Sequence, residues 1–400
     1  MVKQFTLLLC FALSVSGLAQ QEPKPIEIKP PSAPEAVYQQ VSETSAYREE
    51  ITTFPSALTT GVPDNDQVPL HLFLPKGATG PTDAVLILHY WGASDLRIER
   101  ALANELAKRG IASAILELPY HLKRAPAGTK SGELAIRPDP DLLRLTMIQA
   151  VYDARRALEI LGRRPEISGK SLGIAGISLG AVIATSVYAI EPNVKSAAIL
   201  LGGVDLAKII WRSSRVVNQR AELRRLGFTE ESLAAVLKDV EPSTYITQRK
   251  EGNLFIVGAR YDTVVPTEST QNLMDLEPSA KKLWIDTGHY GGIFVQPQLF
   301  REVGKYFQST LEGKPYEPPR EILAPTIRLG AIFDSSGQFD VGAGLDIFRP
   351  RTVTDVFGTL LVTPRGPKFY FGKGVDRGVS VGVAIGSQRT VLGLLWSIVI

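Results

Sequence analysis

The chain of 400 residues holds one cysteine, Cys10, four histidines and no run of 18 apolar residues. Each scarcity excludes something. A single cysteine rules out a disulfide framework and a cysteine-ligated zinc site. Without a long apolar run there is no candidate transmembrane helix. The 44 basic residues nearly balance the 41 acidic ones, leaving a net charge of +3 and no broad electrostatic footprint for nucleic acid. Hydrophobic residues at 44% and charged ones at 21% are ordinary for a globular chain, and the length suggests two to three domains.

The first 45 residues read as targeting and linker. Lys3 precedes an apolar stretch from Phe5 to Leu18, and Gly17-Leu18-Ala19 offers small residues where a signal peptidase reads, so cleavage is expected after Ala19. A lipid-anchor signal fits less well, because Leu7-Leu8-Leu9 lacks a small residue before Cys10. A secreted or periplasmic product follows. Prolines 23, 25, 30, 31 and 34 among polar residues then mark residues 20–45 as a linker.

From 46 to 312, short β-rich runs alternate with helical patterns. The runs are Val68–Leu74, Ala84–Leu88, Ile111–Leu116, Leu172–Ile177, Lys195–Leu201, Leu254–Val257 and Lys282–Ile285. Such alternation predicts crossover units on a mostly parallel sheet. Leu142, Leu145, Ile148, Val151, Ala154, Leu158 and Leu161 recur every three to four positions, predicting one long helix that starts at Asp139-Pro140-Asp141 and ends near Gly162. Residues 205–241 are too many for a plain crossover and read as a helical lid insert. Its first part carries Lys208, Arg212, Arg215, Arg220, Arg224 and Arg225 against Asp205 and Glu222, a solvated face or an attraction for an acidic substrate or surface.

Beyond Pro315, Pro318 and Pro319 the texture changes. Residues 320–400 hold 12 of the 35 glycines, no histidine, and period-two runs such as Phe339, Val341, Ala343, Leu345 and Ile347. A separate antiparallel β domain of about six strands is expected. Its alternation resembles segments of outer-membrane barrels, but six strands are fewer than the eight of the smallest ones. An unclosed sheet is therefore expected, one that packs on the first domain or pairs with another copy to protect its edges, giving self-association or membrane association. Lacking histidine and cysteine, it is expected to be dispensable for chemistry.

Gly176-Ile177-Ser178-Leu179-Gly180 fits a strand-to-helix turn that presents a serine nucleophile. Gly378-Val379-Ser380-Val381-Gly382 fits the same pattern, but Ser380 lies inside an alternating strand with no helix after it. Ser178 needs a base. His71 and His89 lie in or at the end of strands and His121 follows Pro119-Tyr120 in a loop, whereas His289 sits in Asp286-Thr287-Gly288-His289-Tyr290-Gly291-Gly292 after the last strand of the sheet. His289 is the expected base. Asp262 follows the strand Leu254–Val257 and is the expected carboxylate, with Glu241 and Asp205 as alternatives. Leu179 and Trp91 are the expected oxyanion donors, each through its main-chain N–H. Tyr90, Tyr120 and His121 are expected to border the substrate pocket.

With these residues placed, 46–312 resembles the α/β-hydrolase superfamily, and most closely its dienelactone-hydrolase-like and secreted esterase branches. The resemblance implies an α/β-hydrolase fold with an eight-stranded, mostly parallel sheet and the site at its carboxyl edge. Two positions depart from it. Family members commonly have His-Gly where this chain has His89-Tyr90, and dienelactone hydrolases use cysteine where Ser178 stands. The expected activity is carboxylic ester hydrolysis through an acyl-enzyme. A peptidase or acyltransferase on the same triad, or a non-catalytic binding protein, remain as alternatives. Ser168-Gly169-Lys170-Ser171 lacks the glycine of a phosphate-binding loop at Arg164. Neither metal nor cofactor is expected.

Overall fold

The computed structural model describes residues 32–400 except 250, 323, 349–354, 377 and 388. The expected signal segment and Cys10 lie outside the described residues. Nine strands form the first sheet: β1 (Gln39–Glu43), β2 (Tyr47–Pro55), β3 (Gln67–Pro75), β4 (Thr82–Leu88), β5 (Ala112–Leu116), β6 (Ile167–Ile177), β7 (Val194–Leu200), β8 (Asn253–Ala259) and β9 (Lys281–Ile285). Their spatial order is β1-β2-β3-β5-β4-β6-β7-β8-β9. From β5 across to β9 every neighbour is parallel, while β1, β2 and β3 add on antiparallel.

Two expectations change here, the strand count and the linker bounds. The sheet has nine strands rather than eight, because Gln39–Glu43, expected as linker, pairs with β2 at the edge. Ala33 is also buried, its N–H donating to Glu159. The run Ser168-Gly169-Lys170-Ser171 is strand backbone in β6.

The parallel strands read as continuous apolar runs because both faces are covered. On β4, Leu86 and Leu88 face the core beneath the helices Pro140–Gly162 and Leu179–Ile190, while Val85 and Ile87 face the core beneath Arg97–Ala107 and Gln296–Leu311. The long helix starts where expected, with the Asp139 carboxylate accepting from the Leu142 N–H. Its polar side is buried too: Asp153 accepts from Arg124 at 2.8 Å, with both side chains fully enclosed. Four short helices, Leu206–Arg212, Val217–Arg225, Glu230–Leu237 and Ser243–Ile246, fill the insertion between β7 and β8.

The C-terminal strands are β10 (Ile327–Asp334), β11 (Phe339–Phe348), β12 (Val356–Thr363), β13 (Gly366–Asp376), β14 (Val379–Gly386) and β15 (Thr390–Val399). Each pairs antiparallel with the next, and β10 also pairs with β15, so the sheet is a closed barrel. The expected unclosed sheet is thereby corrected, and the physical reason is side-chain size. A barrel this narrow has little interior, and glycines supply the space: a Cβ on Gly342 or Gly382 would sit 2.5 or 2.2 Å from a carbonyl of the neighbouring strand. Ile332, Phe357, Leu361, Tyr370, Ala384 and Leu395 fill what remains. The expected domain start at 320 also shifts, since Tyr316, Ile322 and Ala324 pack in the core of the first domain.

Candidate active site

Ser178 stands between β6 and the helix Leu179–Ile190 with φ of 55°, a conformation that side chains rarely adopt. Its N–H is anchored on the Leu200 carbonyl at 2.9 Å. Both flanking glycines are required sterically. A Cβ on Gly176 would lie 2.1 Å from the Gly180 carbonyl oxygen, and one on Gly180 would lie 2.2 Å from that of Leu88. The turn therefore presents the serine, itself buried, at the carboxyl edge of the sheet. Ser380, the second match to the pattern, lies inside the barrel, where its hydroxyl meets the Leu395 carbonyl and the Tyr370 hydroxyl, both at 3.2 Å.

The loops after β8 and β9 bring Asp262 and His289 to the same edge. His289 Nε2 accepts from Ser178 Oγ at 2.9 Å, and its Nδ1–H donates to Asp262 Oδ2 at 2.7 Å. The other carboxylate oxygen of Asp262 accepts from the N–H groups of Val264 and Val265, both at 2.8 Å, which fixes its orientation. Glu241 and Asp205 are engaged elsewhere: Glu241 accepts from the Asp205 and Leu206 N–H groups, and Asp205 from Lys208 and Asn272.

Leu179 opens its helix, so its N–H has no intrahelical acceptor. Trp91 follows β4, and its indole N–H donates to Gly132 O at 2.7 Å, holding the turn. Arg215 of the lid insertion, one of the six basic residues there, lies over the Trp91 ring at 4.8 Å. Its guanidinium donates to Trp91 O at 3.0 Å and to the Tyr290 hydroxyl at 3.2 Å. It ties the turn after β4 to the His289 loop, a role that charge counting did not single out.

Tyr90 lines the cavity, whereas Tyr120 and His121, expected at its border, do not. Their place in the chain follows from the sequence; the direction of their side chains does not. Tyr120 is buried at φ 62° under the Arg137 guanidinium. His121 packs edge-on against His89, both fully enclosed. His121 donates to Pro119 O and accepts from the Gly92 N–H at 3.0 Å, while His89 donates to Tyr90 O and accepts from the Leu118 N–H at 2.9 Å. Burial pushes both imidazoles down, His121 to about 4 and His89 well below the usual range. These neutral rings brace the turn that carries Trp91.

Above Ser178 lies a cavity of about 410 Å³. Its walls are apolar, among them Leu143, Met147, Val182, Ile210, Val216 and Phe300, with Tyr290, Ile293 and Phe294 exposed at its mouth. Ile400, following the last barrel strand, is also a wall residue. Its carbonyl accepts from the Gly288 N–H at 3.0 Å and from Thr287 Oγ1 at 2.8 Å, on the loop that carries His289. A Cβ on Gly288 would meet the Val399 carbonyl oxygen at 2.3 Å, and one on Gly291 would meet that of Ile400 at 2.5 Å. These glycines make a cradle for the barrel's final residues, a feature no separation of the chain into independent domains foresaw. Among the described residues no cluster of His, Cys, Asp and Glu is arranged to hold a metal ion.

The family model described as "Alpha/beta hydrolase domain containing 18" matches residues 14–201, a span that includes Trp91 and Ser178 and ends before Asp262 and His289. Solved structures share the fold, two acetyl xylan esterases among them. Acetyl xylan esterase 1 from Thermoanaerobacterium sp. JW/SL YS485 superposes with a TM-score of 0.51 at 16% identity, over 68% of this chain and 88% of that one. The acetyl xylan esterase from Paenibacillus sp. R4 gives a TM-score of 0.54 at 17% identity over the same shares. No curated protein matches the sequence.

Proposed function

We propose that this chain, which belongs to the α/β-hydrolase superfamily, hydrolyses carboxylic esters with Ser178 as nucleophile, His289 as general base and acid, and Asp262 as the carboxylate that orients and stabilises the imidazole. The hydrogen-bonded line from Ser178 through His289 to Asp262, at 2.9 and 2.7 Å beneath an apolar cavity, carries this reading. Ser178 Oγ attacks the ester carbonyl carbon while His289 Nε2 takes its proton. The oxyanion is held by the N–H groups of Leu179 and Trp91. The C–O bond to the alcohol then breaks, and His289 returns the proton to that leaving oxygen. Water attacks the acyl-enzyme by the same steps and frees the acid.

The cavity supports an ester with an apolar acyl group, since Arg215 is the one Lys, Arg, Asp or Glu side chain among the described residues that line it. The test uses Ser178→Ala and Ser380→Ala side by side, with p-nitrophenyl esters of increasing acyl length and a fluorophosphonate probe. Ser178→Ala is expected to lose turnover by on the order of 10⁶-fold and to lose labelling entirely. Ser380→Ala keeps both. Turnover in Ser178→Ala matching that of the unchanged protein would overturn the assignment.

A further inference from the structure

A water-soluble barrel shows polar side chains to solvent; this barrel, around a small apolar interior cluster, shows apolar ones. Every strand presents apolar side chains outward, for instance Leu329, Leu345, Val362, Phe371, Val381 and Leu394, one from each of β10 to β15, and all six are exposed. Charged groups point inward instead, where Arg328 pairs with Asp346 at 2.6 Å and Lys368 with Asp340 at 2.7 Å. Alternation of this sense is the pattern of a barrel whose outer solvent is hydrocarbon. Lys373, near the end of β13 closest to the hydrolase, is exposed among the apolar positions, at a height from which its stem can reach the interface.

The belt has the dimensions and limits of a bilayer. The six strands run 8 to 11 residues. At about 3.3 Å per residue, tilted strands of that length match an apolar band about 25 Å tall. At the far end the turns hold Asp334, Ser336, Gln338, Arg365 and Arg389, and at the near end stands the hydrolase. Lipid accounts for the belt better than a second copy does. The belt runs round the whole circumference, whereas one partner covers one side, and closure leaves no edge strand for pairing.

We propose that the barrel inserts into a lipid bilayer and holds the hydrolase at the membrane surface. The exposed cavity-mouth residues Tyr290, Ile293 and Phe294 belong to the same loop region that cradles the barrel's last residues, so the cavity opens beside the membrane. On the ester-hydrolase reading above, the substrate is then an acyl ester dissolved in that bilayer.

The test uses the full chain with vesicles of phosphatidylcholine and phosphatidylglycerol. Environment-sensitive dyes are placed at Leu392→Cys on the belt and Ser336→Cys on the far turn, in a Cys10→Ser background. Flotation with the vesicles in high salt and carbonate is expected, with the belt dye quenched by acyl-chain spin labels and the turn dye by aqueous iodide. Leu360→Arg with Val381→Arg is expected to weaken vesicle partition about 30-fold or more. The same pair is expected to slow hydrolysis of a vesicle-embedded acyl ester while sparing a short soluble ester. Ser178→Ala is expected to float like the unchanged protein, so insertion and hydrolysis fail separately. A belt dye quenched by iodide, or a belt dye shielded from both quenchers in a closed oligomer that does not float, overturns the proposal.

Discussion

At the scale of single residues, two carboxylates have opposite roles. Asp262 has three hydrogen bonds and one task, holding the Nδ1–H of His289. An amide at this position keeps the shape but invites the wrong imidazole tautomer. Asp262→Asn is therefore expected to lower turnover by on the order of 10³–10⁴-fold with an unchanged melting temperature. Near-normal turnover would remove Asp262 from the reaction. Glu99 is fully enclosed, and among the described residues neither of its carboxyl oxygens meets a hydrogen-bond partner on another residue. Burial pushes it up from 4.5 to about 7. Between those values the folded chain holds a proton that the unfolded chain has released, so stability falls as pH rises through this window and levels off above it. Glu99→Gln removes that dependence, and at pH 8 it is expected to be more stable by on the order of 3 kcal/mol. Thermal melts at pH 5 and pH 8 check this. An equal melting temperature at pH 8 sinks it.

Among the elements, the loop after β9 has the most to satisfy, since it presents His289, walls the cavity and receives the barrel's last residues. Gly288 has no room for a side chain there, its Cβ falling 2.3 Å from the Val399 carbonyl oxygen. Gly288→Ala must displace either the loop or the strand, and an imidazole misplaced by about 1 Å costs on the order of 10²-fold in turnover. Steady-state kinetics with a soluble ester, read alongside the rate of fluorophosphonate labelling, measure it; full turnover would show that the cradle does not position His289. This loop also marks the limit of what sequence alone conveys. Chain order and strand-end placement point to Ser178, Asp262 and His289, which the structure joins in one hydrogen-bonded line, because periodicity locates the strands and the fold's topology gathers their carboxyl ends. Side-chain direction is a tertiary property, so Tyr120 and His121 were placed in the right loop and the wrong orientation. Barrel closure was missed for a related reason: strand count alone argues against it, and only the register shows that glycines leave six strands enough interior. The cradle could not be read at all, since it joins residues 288 and 400 across domains that differ in composition.

For the whole molecule, the question is whether the barrel anchors the hydrolase or completes it. The hydrolase cores end with Tyr316, Ile322 and Ala324, and the barrel has a separate interior cluster, so a cut after Thr326 leaves each hydrophobic core intact. Such a fragment also sheds the apolar belt and should stay in solution without detergent. It nevertheless loses a cavity wall, Ile400, and two hydrogen bonds to the His289 loop. The expectation from histidine content alone, a barrel dispensable for chemistry, ignores these contacts. The fragment is expected to unfold cooperatively while hydrolysing a soluble ester on the order of 10²-fold more slowly than the full chain, with the loss in kcat exceeding the change in KM because loop placement acts on the reacting atoms. Circular dichroism melts and kinetics on one preparation decide it. Undiminished turnover would show that the barrel leaves His289 unmoved, whereas a folded fragment with the expected loss shows that the barrel also positions His289.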